Sequence, residues 1–532
     1  MAQTVTDPTA PIPDDDGDVE AAPVDEVRAL GLIERVRARL VEEPALIVLA
    51  AAMFVWFIVF ERLAWNRHEV FATFDFDLGH HDQAIWLLSR GKGFITVSGM
   101  PVLGHHFTPA YFALVPLYWL GAGPQVLILL QNAALALAAI PIYLLARDLL
   151  RNTWWSLALA AVWLLNPSVQ WLAWETWHPE TVAIPFFLTA YLMASRKRWT
   201  WYWVLLVITL AWKEDIAIAV AVLGIVMAFR GERRIGLLTV GLAVAWFVVA
   251  YGIAMPHFNG GTNHASTFYG ELGDSPTDIV RTMLTEPDVV IDRLTTNDAL
   301  GYARDLLVPF GFLPLLSPLV FVGVPQFLAN ALTNANFFWD IRYHYTSVIL
   351  AALALACVEG VARLTHTSWR RFAVGFVAAC ALATSVAWGI SPVGTQYRSG
   401  YWPLAGNARQ ATLDAAVATV PDDAAVSVPY NLVPHLAHRT QIYTFPNPWI
   451  PHNWGVAGVA PDDPELDHSP EEVDWIIVDR PSLGPESREA KLLATLLEHD
   501  EFEVVSDADG VVVARRVKPP VGEIGPDGLL VE

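Results

Sequence analysis

Apolar residues in this chain come in runs of membrane-spanning length, not with the period of an amphipathic surface helix. Runs near the ~20 residues that a helix needs to cross ~30 Å of hydrocarbon occupy 44–64, 124–146, 154–174, 235–255, 343–363 and 372–390. Three shorter runs, 181–195, 199–212 and 214–230, are separated by Arg196 to Arg198 and by Lys213 to Asp215. Residues 305–332 are apolar throughout but broken by Pro309, Pro314, Pro318 and Pro325, which predicts two short helices or one re-entrant pair. The pattern predicts an α-helical polytopic membrane protein with about eleven transmembrane helices, or nine and a re-entrant pair.

Lys and Arg near the ends of these runs set an orientation. With Arg28, Arg35, Arg37 and Arg39 in the cytoplasm, Arg147, Arg151, Arg196 to Arg198, Arg230, Arg233, Arg234, Arg363, Arg370 and Arg371 all fall on that side. This holds if the apolar segment 107–121 does not cross but lies at the outer interface. The remaining polar clusters then converge on the external face of the cytoplasmic membrane, together with everything after residue 400.

Soluble composition returns there. A helix near 406–420, strands at AAVSV and VDWIIVDR, a helix near 486–498 and two strands around Asp509-Gly510 predict a small extracytoplasmic α/β domain over 400–516. The expected division is an acidic, disordered cytoplasmic tail at 1–27, a juxtamembrane helix at 28–43, a membrane domain at 44–392 with its first external loop at 65–123, and a flexible tail at 517–532.

Composition agrees, with 54% hydrophobic residues, 16% charged residues and 22 Trp. The net charge of −21 is located at the ends. Residues 1–27 hold eight acids and no Lys or Arg, and residues 401–532 hold 22 acids against eight bases. The body is close to neutral, and no basic nucleic-acid footprint exists. Both cysteines, Cys357 and Cys380, lie in apolar runs and cannot staple a soluble domain. No P-loop, dinucleotide fingerprint, nucleophile elbow or zinc-protease helix is present.

Chemistry concentrates where charge meets the bilayer. In FDFDLGHHDQAIW, Asp75, Asp77, His80, His81 and Asp82 follow the first span, and ionisable groups there must be solvated, paired or coordinated. Closely spaced carboxylates suit a general base or a hard divalent cation such as Mg²⁺ or Mn²⁺, and helix capping is the alternative role. Asp77, just before the Leu78-Gly79 helix entry, is the favoured acid, and Asp75 is its solvated neighbour. His105 and His106 open the interfacial segment, while His178, Pro179 and Glu180 open an external helix where Pro and Glu are also capping residues. Lys213 is placed to grip a lipid phosphate as a point charge, with Glu214 or Asp215 compensating it. Asn330, Arg342, His344 and Tyr345 flank the broken apolar segment, Arg342 as a phosphate or carboxylate clamp. Trp174 and Trp177 adjoin this acidic face and offer sugar-stacking surfaces beside their role in an interfacial aromatic belt. Asn431, His435, His438 and Arg439 form a polar cluster that could close over the membrane site.

The ordered motifs FDLGHHDQAIW, SRGKGF, GHHFTPAYFALVPLY, QNAALALAAIPIYLLAR, WHPE, WKED, QFLAN, RYHY and NLVPHLAHR resemble those of the membrane proteins of domain-of-unknown-function family 2079, over roughly residues 50 to 515. That family is grouped with the GT-C superfamily of polyprenyl-phosphate-sugar glycosyltransferases. The resemblance implies that Asp77 corresponds to their catalytic or metal-binding acid and Asp82 to a second acid on the same helix. It also implies an inverting transfer in which a carboxylate activates an acceptor hydroxyl while a lipid phosphate leaves. Lipid-A aminoarabinose transferases carry Glu-Lys-Pro before the interfacial helix, whereas this chain has His106-Phe107-Thr108-Pro109. Donor phosphate binding then falls to Lys213, Arg342 or a metal.

The expected function is sugar transfer from a polyprenyl-phosphate donor to a glycan or glycolipid acceptor at the outer face of the membrane. Asp77, Asp82 and Glu180 are the expected catalytic residues, with Asp77 and Asp82 also the expected metal ligands. Substrate contacts are expected from His105, His106, His178, Lys213, Glu214, Asn330, Arg342 and His344. The alternatives are a non-enzymatic lipid or glycolipid transporter and a membrane scaffold. Transport calls for ionisable groups at span centres, and most acids here lie at span ends.

Overall fold

The computed structural model describes residues 43–259, 268–273, 275–452, 470–520 and 522–531. The expected tail at 1–27 and helix at 28–43 lie almost wholly outside these residues. Two compact units divide the chain, Met1–Ala50, in which the described residues open the first helix, and Ala51–Glu532, which carries the candidate site and the C-terminal sheet.

The chain is mainly helical, and its longest helices follow the apolar runs. Among the described residues, five are long and apolar enough to cross a membrane: α1 (Pro44–Glu69), Pro124–Leu150, Arg233–Phe258, His344–Arg363 and Thr367–Trp388. Pro124–Leu150 consists of α4 (Pro124–Leu137) and α5 (Ala139–Leu150), after two shorter helices, α2 (His80–Ser89) and α3 (Tyr111–Trp119). The pair α6 (Thr153–Leu165) and α7 (Pro167–Trp174), bent by 45° at its break, is together long and apolar enough for one broken span or a re-entrant loop. Asn166 separates the two, and its side chain accepts from Ser168 N. Pro167, lacking an N–H, then opens the second helix where a donor would be unpaired. The shorter runs form α8 (Pro179–Ser195), α9 (Trp199–Leu210) and α10 (Ile216–Phe229).

Helix α10 packs against α11 (Arg233–Val249) through two glycines. A Cβ at Gly224 would stand 2.7 Å from the Gly236 carbonyl oxygen, and one at Gly236 would stand 2.4 Å from that of Gly224. Small residues here let the backbones touch, the usual device where lipid removes the hydrophobic drive for helix association. Between α11 and the last two long helices come α12 (Pro276–Thr285), α13 (Pro287–Thr296), α14 (Ala299–Leu307) and α15 (Val324–Ala331). The proline-broken segment is not a pair of helices. Three short 3-10 turns, Val308–Phe310, Leu313–Leu316 and Pro318–Val322, precede α15, because each proline removes a helical donor. They pack on α16 (Ser347–Arg363), where a Cβ on Gly360 would stand 2.2 Å from Leu313 O. Helix α17 (Thr367–Trp388) completes this part.

Helix α3 has nine residues, too few to cross hydrocarbon at 1.5 Å per residue. Before it, a two-strand ribbon pairs β1 (Phe94–Ile95) with β2 (Met100–Pro101) antiparallel.

Among its described residues the C-terminal part holds α18 (Ala408–Thr419), α19 (Arg488–Glu498) and five strands: β3 (Val426–Val428), β4 (Ile442–Thr444), β5 (Trp475–Asp479), β6 (Phe502–Ala508) and β7 (Val511–Arg516). Their order is β4-β3-β5-β7-β6. The β3–β4 and β3–β5 pairs are parallel, and the β5–β7 and β7–β6 pairs are antiparallel. Asp509 and Gly510 both take positive φ, 50° and 79°, the conformation a two-residue hairpin requires. Leu492, Leu493 and Leu496 of α19 pack on Ile476, Val478, Val512 and Ala514 of the sheet.

The expected flexible tail takes a different form over 522–531. Ile524 bridges Leu530, and Thr495 Oγ1 of α19 donates to Gly528 O at 3.0 Å.

Candidate functional site

The first loop after α1 winds as a π-turn, Asp75–Gly79, before α2 begins. Such single wide turns recur at functional sites, and this one sends Asp75, Asp77 and Asp82 toward three different partners.

Asp75 faces the C-terminal sheet. Thr444 Oγ1 in β4 donates to its Oδ2 at 2.7 Å, and Phe76 N donates to its Oδ1 at 2.9 Å. It is buried, so its expected role as the solvated neighbour is corrected. Burial raises its pKa to about 6 against the opposing pull of these hydrogen bonds. The same loop face is clamped along β4. Gln83 Nε2 donates to Thr96 Oγ1, and Thr96 Oγ1 both donates to Ile442 O and accepts from Ile442 N.

Asp82 is fully buried and belongs to this clamp. Tyr118 OH donates to its Oδ1 at 2.7 Å, and His438 Nε2 lies 3.1 Å from its Oδ2. The His438 ring also stacks on Trp86. His435 stacks on His68, ring centroids 4.2 Å apart, and Asn431 Nδ2 donates to Phe71 O. Arg439 holds its own domain through Pro421 O and Ala424 O. The polar cluster 431–439 therefore docks on the first loop.

Asp77 turns the other way, to where three interhelical connections meet. His178 Nε2, at the entry to α8, stands 3.6 Å from Asp77 Oδ1 and 3.8 Å from Glu175 Oε2. His344 stacks on His178 with ring centroids 3.4 Å apart, its Nδ1 3.2 Å from Glu175 Oε2 and its Nε2 3.8 Å from Glu180 Oε1. Lys213 Nζ donates to Glu180 Oε1 at 2.8 Å and lies 3.8 Å from Asp215 Oδ2. On the next residue, Glu214 accepts from Phe107 N at 3.0 Å and pairs with His106 Nδ1 at 2.9 Å. His106 is adjacent to His105, which packs on His80, and His80 on His81. Asp77, His178, Glu180, Lys213, Glu214, His106 and His344 thus form one connected polar centre, and Asp82 stands outside it.

The electrostatics are strained toward excess acid. Five carboxylates, Asp77, Glu175, Glu180, Glu214 and Asp215, face two cations, Lys213 and Arg67. Burial raises Asp77 to about 7 despite Arg67. Glu175 is pushed well above the usual carboxylate range by burial and by Asp77. Burial, with His344 and Lys213 nearby, keeps the His178 imidazole neutral. Burial would depress Lys213, but Asp215, Glu180 and Glu214 outweigh it and hold the ammonium charged. Burial raises Asp215 to about 6, whereas Glu214 is drawn down to about 2, its own burial penalty overcome by His106 and Lys213.

Glu175, His178 and His344 place one ligand atom each within 4.8 Å of one another, so a metal ion could be held among them. His178 Nε2 is buried without a hydrogen-bond partner, and the neutral imidazole is the form that ligates. Two imidazoles and a carboxylate suit Zn²⁺ or Mn²⁺ better than Mg²⁺, which prefers oxygen ligands.

Other expected site residues have their groups committed elsewhere. Asn330 is buried and donates to Tyr302 OH and Tyr345 O while accepting from Gln326, which makes it a brace of its own loop. Arg342 is engaged by both oxygens of Asp340, at 2.6 Å for the shortest pair, and also donates to Tyr401 OH. Trp177 is fully buried, so the expected sugar-stacking surface is absent there. Trp174 carries the Arg67 guanidinium 3.9 Å over its ring. Sequence reasoning passed over Glu175 and Arg67. A lone Arg within the last turn of an apolar helix, and an acid three residues before His178, were the available signals.

Over residues 67–513 the chain matches the family described as "Predicted membrane protein (DUF2079)". The chain belongs to this family. No curated protein matches this DUF2079 protein. Among solved structures it is similar to ArnT from Cupriavidus metallidurans bound to undecaprenyl phosphate, with 13% identity, a TM-score of 0.52 and coverage of 89% of this chain and 98% of ArnT. The likeness at this identity is one of fold, and the architecture of this chain is ArnT-like. The oligosaccharyltransferase of Archaeoglobus fulgidus, in complex with Zn and sulfate, matches with 13% identity over 87% of this chain and 73% of that one, at a TM-score of 0.35.

Proposed function

We propose that this DUF2079 protein transfers a sugar from a polyprenyl-phosphate donor to a glycan or glycolipid acceptor at the outer face of the cytoplasmic membrane. The observation that carries the proposal is the convergence of Asp77 with Glu175, His178 and His344, on a fold shared with a protein solved with undecaprenyl phosphate bound.

Asp77 is the general base. Its pKa of about 7 is matched to taking a proton at neutral pH. The acceptor hydroxyl oxygen attacks the anomeric carbon, its proton passes to Asp77, and the C–O bond to the lipid phosphate breaks. Polyprenyl phosphate leaves with the bonding pair. Glu175, His178 and His344 would hold a divalent cation, which supplies positive charge for the leaving phosphate. That charge is needed, because Lys213 is already compensated by Glu180 and Asp215, and a phosphate entering an acid-rich centre unaided would be repelled. Glu180 positions Lys213 and His344. Asp82 sets the attitude of α2 from the C-terminal side.

The test uses the purified full-length protein in nanodiscs with the polar-lipid extract of its host and Mn²⁺ or Zn²⁺. Release of polyprenyl phosphate from its sugar-linked form, followed by mass spectrometry and abolished by Asp77→Asn, is the expected result. An unchanged lipid-linked sugar pool with the wild-type protein would overturn the proposal.

A further inference from the structure

Beside the acid centre lies a cavity of about 490 Å³, within the ~300–1,000 Å³ typical of small-molecule sites. Trp339, Phe337, Tyr343, Trp388 and Tyr401 supply its aromatic walls, and Gln396, Asp340 and Arg342 line it among its polar groups. Two of its lining residues, Tyr343 and Tyr401, approach the centre. Tyr343 directly precedes His344 in the chain and lies within electrostatic reach of Glu175 and Asp77. Tyr401 packs edge-on against Trp174, the residue before Glu175.

Charge decides what fits. Asp298, Asp305 and Asp340 outnumber Arg342 in the lining, and Arg342 is neutralised by its forked pair with Asp340. An anionic headgroup would meet net repulsion. An apolar tail would leave Gln396 and the Asp340–Arg342 pair facing hydrocarbon without hydrogen-bonding solvent. Flat aromatic faces with amide and carboxylate groups between them match a polyol ring, whose C–H face stacks while its hydroxyls both donate and accept.

We propose that this cavity is the acceptor subsite and that it takes an uncharged saccharide. The proposal rests on the transferase reading above and supplies its substrate class. The acceptor hydroxyl would enter the acid centre between Tyr343 and Trp174, with the rest of the glycan held by the aromatic walls.

The experiment compares wild type with Trp339→Ala, which removes an aromatic wall, and with Gln396→Leu, which removes the amide. Hydrogen exchange of the segments 336–343 and 396–401 is measured with a neutral disaccharide (mannobiose), its uronic-acid counterpart (digalacturonate) and undecaprenyl phosphate. Protection by mannobiose alone is expected, weakened at least tenfold in apparent affinity in both variants. In the lipid-extract assay the same variants should still release polyprenyl phosphate to water but lose transfer to acceptor. Failure of release in the wild type defeats the transferase reading. Release with transfer intact in both variants, or protection by digalacturonate or undecaprenyl phosphate instead, overturns the acceptor subsite alone.

Discussion

His178 Nε2 points between two carboxylates, 3.6 Å from Asp77 Oδ1 and 3.8 Å from Glu175 Oε2, while its ring is stacked on His344. A buried neutral imidazole aimed at two acids and bonded to neither is the group through which the proposed cation would be held. His178→Ala is expected to lower Mn²⁺ and Zn²⁺ affinity of the purified protein by 10-fold or more. Equilibrium dialysis with elemental analysis measures this, and equal metal content in wild type and variant would remove the cation from the account.

The Lys213–Glu180 pair is buried on both sides. Removing one partner strands a charge at a cost of ~3–5 kcal/mol, whereas replacing both with apolar groups of similar volume costs much less. Glu180→Leu should therefore depress the unfolding midpoint in detergent strongly, and Glu180→Leu with Lys213→Met should recover most of it. A double variant as unstable as the single one would show that the pair itself stabilises the fold.

Asp75 couples the C-terminal sheet to pH. Its pKa is raised to about 6 in the folded chain from an ordinary value near ~3.9, so the folded state binds the proton more tightly than the unfolded one. The associated stability is complete below pH ~4 and is lost as pH rises through 6. About two units correspond to about 3 kcal/mol. Hydrogen-exchange protection of Ile442–Thr444 should fall between pH 4 and 6.5 in the wild type. In Asp75→Asn this fall should be smaller, with the difference assigning it to Asp75 rather than to Asp215 or Asp77. Identical profiles would exclude Asp75 as its source.

Much of this was legible in the apolar pattern. Long runs need no tertiary information to become helices in lipid, because every backbone group is satisfied within the segment. The six secure runs coincide with the five long helices and the bent pair. Local signals also sufficed for the Asp509-Gly510 hairpin and for α19. Residues 305–332 were harder, since a proline states where a helix stops but not that the pieces become 3-10 turns packed on α16. Strand β4 was missed because three residues, Ile442 to Thr444, show no alternation, and its pairing with β3 is parallel and non-local. Within the site, charge density at span ends pointed to Asp77, His178, Glu180 and Lys213. The sequence could not distinguish Asp77 from Asp82 by neighbourhood. Both lie in one short segment, yet the π-turn and α2 send one to the acid centre and the other to Tyr118 and His438. Glu175 was hidden by lying between two tryptophans that read as an interfacial belt.

The most direct test of the central claim is made in the producing cells, with Asp77→Asn at membrane abundance equal to wild type. The account predicts that one cell-envelope glycan or glycolipid loses a sugar substituent while the matching polyprenyl-phosphate sugar accumulates, both read by mass spectrometry. Envelope glycans and lipid-linked sugars indistinguishable from wild type in that variant would contradict it.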